Sequence, residues 1–259
     1  QSYIPSIHGA MCIFGVTHNQ PVLSAVVQIF KPITFFIIGA WLLLNRLDRK
    51  TETSPLFRKK FLFLSMVSVL VLADSVLDFF YLTGFDIKVF VSCCTTFFDL
   101  PDRGAAGITV SLLGEGYGRH LLPLYYILGI AFVVSQIILY RRLKRDSNLA
   151  AILTTVVIIA VINAVVTVLA MFEVIAPKVM NLPLHHCIYC MWQYEPHAII
   201  MTALFIIGTF LPGWELVLYK AGRHEETEHI LNESLKKMSI AGTACIVLSV
   251  LTATIYMIL

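Results

Sequence analysis

"LAAILTTVVIIAVINAVVTVLAMF", residues 149–172, runs for 24 positions without one charged side chain. About 20 consecutive apolar residues are enough to cross the hydrocarbon core of a bilayer as a helix. Lipid offers no hydrogen-bond partner to a bare backbone, so only a helix or a closed barrel can lie there. The stretch lacks the alternation of polar and apolar residues that a barrel strand requires. It is read as a transmembrane helix, and the rest of the chain repeats the pattern.

Five further runs match it, at about 21–45, 61–84, 121–140, 197–219 and 238–258. With 149–172 they predict an all-α, polytopic transmembrane helix bundle of six spans, filling residues 1–259 as a single integral membrane domain. Composition agrees. Charged residues make up 14% of the chain and the mean hydropathy is +0.82, whereas soluble domains carry about a quarter charged residues.

Lysine and arginine set the expected orientation. Residues 46–60, 141–145 and 220–237 hold fourteen of them, against four (Lys88, Arg103, Arg119 and Lys178) in the alternate connections. Basic loops stay on the cytoplasmic side, so 1–20, 85–120 and 173–196 are the predicted outward segments. The expected location is a bacterial inner (plasma) membrane, with those segments facing the periplasm or exterior. The net charge of +3 reflects this bias and does not point to nucleic acid. Both ends then fall outside, and the chain begins at Gln1. A seventh helix or a signal segment ahead of residue 1 is the expectation that follows.

Cysteine and histidine gather on the outward side. Cys12, Cys93, Cys94, Cys187 and Cys190 lie in these segments, while only Cys245 lies in a span. His8, His18, His120, His185, His186 and His197 follow the same geography. Cysteine is a good core hydrophobe and could equally populate the helices, so this placement points to chemistry outside the membrane. That compartment permits disulfides. The spacing of Cys187 and Cys190 is that of redox pairs and metal clips. Cys93 and Cys94 are adjacent and would close only a strained ring. Cys12 leaves an odd number.

The run "CIYCMWQ", residues 187–193, resembles the motif of DsbB-type and vitamin K epoxide reductase-type membrane thiol oxidoreductases. In that family a Cys-x-x-Cys at the outer end of a helix precedes an apolar residue, an aromatic and Gln or Glu, followed by Arg. Here Met191, Trp192 and Gln193 follow in that order, and Tyr194 replaces the arginine. The resemblance implies a thiol–disulfide oxidoreductase. Cys187, Cys190, Cys93 and Cys94 would be catalytic, and a quinone would lie against Tyr189, Trp192 and Gln193. A periplasmic thiol protein would be the electron donor.

Two other readings stay open beside it. His185, His186, Cys187 and Cys190, joined by Cys12 and His8, form a ligand set suited to copper, zinc or mercury. That would make the chain a transport or delivery protein with a metal donor or acceptor as partner. In the third reading the cysteines only brace loops in a non-catalytic subunit of a membrane complex.

Charges inside the spans are a separate signal. Asp74 and Asp78 share a helix face at i, i+4, and Lys31 lies in the first span. Intramembrane charges are costly and usually paired, so a Lys31–Asp74 or Lys31–Asp78 pair is expected. Asn163 and Glu215 are weaker candidates, and Pro212-Gly213 is read as a kink or a break in the fifth span. In 221–237, His224, Glu225, Glu228 and His229 have metal-compatible spacing, but a solvated surface helix is the stronger expectation.

Overall fold

A computed structural model describes residues 4–10, 13–86, 88, 90, 91, 110, 114, 116–143 and 148–258. The described residues form helices and no strand. Short α1 (Ile13–His18) precedes α2 (Pro21–Asp48) and α3 (Phe57–Thr83), and then come α4 (Gly118–Arg142) and α5 (Leu149–Ala170). A π-helical turn, Met171–Ile175, carries α5 into α6 (Ala176–Val179). Next are α7 (Ile188–Tyr194), α8 (Pro196–Ala221) and α9 (Glu228–Ile258). Six of these helices, counting 149–179 as one, are long and apolar enough to cross a membrane, and they make the chain an integral membrane protein.

The six predicted runs all reappear, with two differences. The last span begins at Glu228, not 238, because the charged stretch expected as a surface helix leading into it forms one continuous helix with it. The fourth continues to Val179, into the predicted outward segment. Its C-terminal end holds Pro177, which has no N–H to donate to the carbonyl five residues earlier in the π register. That carbonyl belongs to Phe172, and His186 Nδ1 donates to it instead at 3.0 Å. The π turn and its histidine cap let the helix pass the proline. In α8 the expected kink site leaves the helix continuous through Pro212.

α4, α5, α8 and α9 pack as a closed ring of four. α2 lies against the outside of α8, and α3 packs chiefly against α2. No residue of α3 is buried, although its sequence is as apolar as the others. Two glycines show how closely the helices approach. A Cβ on Gly208 of α8 would stand 2.7 Å from Ile246 and 3.3 Å from Cys245 of α9. One on Gly39 of α2 would stand 2.3 Å from the Trp214 ring, whose Nε1 donates to Phe36 O at 2.8 Å. Neither neighbour is a loose side-chain tip. Gly39→Ala should therefore push α2 off α8 and cost about 1–3 kcal/mol, the range for overpacking, read as a lower unfolding temperature in detergent.

The loops sort to two ends. At one end Asp48, fully buried, accepts from Leu56 N at 2.9 Å and pairs with Lys60 at 2.6 Å, closing the α2–α3 turn. There too Lys59 reaches Ala221 O at 2.8 Å, and Lys236 lies over the Tyr140 ring. The predicted basic loops thus share this end. At the other end Val91 N donates to His8 O at 2.9 Å, and Asn19 bonds the backbone of Asp86. Phe14 meets Tyr189 there, with ring centroids 6.4 Å apart.

Candidate functional site

Residues 182–194 build the site. Leu182 O accepts from His185 N at 3.0 Å, a tight turn that swings the His185 side chain toward the following residues. Cys187 is the extended residue ahead of α7, with φ −88° and ψ 112°, and its carbonyl accepts from Met191 N. One helical turn then carries Cys190 back to the face of Cys187. The result is a group in which one ligand atom from each of His185, Cys187 and Cys190 lies within 4.8 Å of the others. Cys187 has 0% and Cys190 6% of its surface exposed. Phe14, Phe172, Met180 and Tyr189 pack around the two sulfurs, and no disulfide joins the two to each other.

By the resembled motif the cysteine pair belongs at the end of a spanning helix, here the fifth span. It lies instead on α7, a separate short helix that ends at Glu195, where φ −121° and ψ 89° break the chain before Pro196 starts α8. Proline at the first turn of α8 explains the break, since it disfavours helical backbone in the preceding residue.

The other expected ligands separate. His186 is not in the group. It is engaged by Phe172 O and lies 3.9 Å from Glu173 Oε2, which gives it a structural task in holding the π turn. His8 is exposed on the N-terminal turn and is likewise outside the group. His197 stacks on Tyr256, 5.0 Å between centroids. His224, Glu225, Glu228 and His229 make no such cluster either: His224 caps the turn into α9, where buried Thr227 bonds Gly222 O. Cys12, Cys93 and Cys94 lie outside the described residues. Ile13 and Phe14 pack toward α7, and Val91 is hydrogen-bonded to the N-terminal segment.

Tyr189, Trp192 and Gln193 come together along one wall of a mostly apolar groove of about 350 Å³, shared with Ile13, Ile199 and Thr202. Trp192 is fixed by its Nε1 donating to Thr202 Oγ1 at 3.0 Å and by an edge-on contact with Tyr189. Tyr189 in turn donates to Gln28 Oε1 of α2 at 2.9 Å.

Deeper, Lys31 of α2 meets both carboxylates of α3, Asp78 at 2.6 Å and Asp74 at 3.2 Å. Asn163 is buried with its Oδ1 lacking a hydrogen bond. Gln136 and Ser239, fully buried and mutually bonded at 2.9 Å, escaped the sequence reading. Uncharged polar residues in a span carry no signal until their depth and facing are known. Set against known protein families, curated proteins and solved structures, the chain matches none.

Proposed function

We propose that His185, Cys187 and Cys190 bind a soft metal ion of the copper(I), zinc or mercury(II) class, and that the chain handles that ion at the outer membrane face. The observation that carries this is the convergence of the three ligand atoms within 4.8 Å. Metal–sulfur and metal–nitrogen bonds of about 2.0–2.3 Å put ligands roughly 3.5–4 Å apart around one ion, so a small closure completes the site. Thiolate and imidazole are the donors such ions prefer. Burial favours the same reading. A partner protein's thiolate would have to pass the Phe14 and Tyr189 cover to reach either sulfur, whereas an ion needs no such reach. Binding would displace the thiol protons, so affinity should fall as the pH is lowered. Transport or delivery of the ion, with a metal donor or acceptor as partner, is the role proposed.

The test is metal analysis of the purified protein with a thiol count before and after reductant. Stoichiometric copper, zinc or mercury that masks two thiols is the expected result. A metal-free protein whose Cys187 and Cys190 cycle between dithiol and disulfide would overturn it.

That outcome would instead support the thiol oxidoreductase reading, which the groove beside the cysteines favours. A groove of about 350 Å³ is in the range of small-molecule sites, and it is lined by the three residues that the family resemblance assigns to a quinone. In that reaction a partner dithiol passes two electrons and two protons to a Cys187–Cys190 disulfide and becomes a disulfide itself. The Cys187–Cys190 dithiol then passes both electrons and both protons to a quinone, giving the quinol. Its signature is quinone in an organic extract of the protein. Replacing Trp192 by alanine should lower that quinone content and leave metal content unchanged.

A further inference from the structure

Glu215 lies on α8 between Leu211 and Leu218, on the face that enters the core cluster near the basic end. Its exposure is 0%, and neither Oε1 nor Oε2 accepts or donates a hydrogen bond. The cluster that Leu211 and Leu218 join is built from Leu44 of α2, Leu139 of α4, Leu153 and Val156 of α5, and Leu235 and Met238 of α9. Among the described residues none of these elements presents a charged group to Glu215. Gln136 of α4 is the polar neighbour, and no hydrogen bond of ordinary geometry closes between them.

A carboxylate ion buried without a partner costs many kcal/mol, and an ionisable residue at membrane depth is a functional candidate by default. Such a group has two affordable states, carrying a proton or holding a cation. A cation wants several free oxygen ligands. Here Gln136 Oε1 and its backbone carbonyl already accept from Ser239 Oγ, at 2.9 and 3.1 Å, and the nitrogen Nε2 remains. That arrangement suits a proton.

Gln136 also connects the site to a groove. This mostly apolar groove of about 390 Å³ between α4 and α9 is lined by Gln136, Tyr140, Ser239 and Thr243 among Ile137, Ile240 and Val247, and Glu215 itself does not line it. Tyr140 stands one turn from Gln136 toward the basic end, under Lys236. We propose that Glu215, with Gln136 and Ser239, is a proton-binding site inside the membrane, exchanging with the basic side along this groove.

The experiment is labelling of the full-length chain in vesicles with a lipid-soluble carbodiimide, which attacks protonated carboxyls in apolar surroundings, followed by peptide mass analysis. The expected adduct is on Glu215, declines as the pH is raised, and is absent in Glu215→Gln. Gln136→Leu should shift the pH at which half the labelling is lost. An unlabelled Glu215 in folded protein, labelling indifferent to pH, or protection by sodium ions would each overturn the proposal. None of these outcomes depends on Cys187 or Cys190, so the metal reading stands or falls separately.

Discussion

Cys187→Ser and Cys190→Ser should each weaken metal binding by more than about 100-fold, since even outer-shell partners of a metal ligand are worth 10–100-fold. His185→Ala should fall in the same class, because its imidazole is one of the three converging groups. His186→Ala is the informative contrast. That ring holds Phe172 O and the π turn, so its loss should lower thermal stability while metal affinity changes far less. Competition against a chelator of known affinity reads the first effect, and thermal unfolding in detergent reads the second. Equal losses of affinity at His185 and His186 would show that the ligand set is wider than the geometry indicates.

The second large effect is expected at Lys31. It joins Asp74 and Asp78 well inside α2 and α3, and α3 has no buried residue to hold it otherwise. Lys31→Met should leave two carboxylates without their cation. Lys31 and Asp78 are each about a third exposed in the fold, so the expected cost comes from leaving carboxylates toward lipid, where the translocon-scale penalty of an aspartate at mid-helix is about 3 kcal/mol. A loss of roughly 3 kcal/mol is therefore expected, read as detachment of the α2–α3 hairpin by protease sensitivity or a lowered unfolding temperature. The triple variant Lys31→Met, Asp74→Asn, Asp78→Asn should regain most of it. If it does not, lysine packing against α3 carries the effect and charge does not.

Particular residues show how far sequence reading reaches. The i, i+4 spacing of Asp74 and Asp78 put both on one face, and depth alone brought Lys31 within range; the structure adds that the lysine serves both. Cys187-x-x-Cys190 was legible because its spacing is local. His185 and His186 looked equivalent in sequence, and only the turn at Leu182 and the proline-freed carbonyl of Phe172 separate them. Gln136 and Ser239 were invisible, because one amide or hydroxyl in an apolar run says nothing about which helix it faces.

Composition by itself determined that the chain is helical and membrane-embedded, that it has six spans, and that basic and sulfur-bearing connections alternate. Those properties follow from hydrogen-bond satisfaction in lipid and from charge, which act on each segment alone. Tertiary structure decided that four helices close a ring while α3 stays at its edge, that His185 and not His186 joins the two thiols, and that Glu215 is sealed beside Gln136. These depend on the side-by-side register of helices far apart in the chain, which is set by the fit of Gly208 against Ile246 and Gly39 against Trp214, and no single segment contains it.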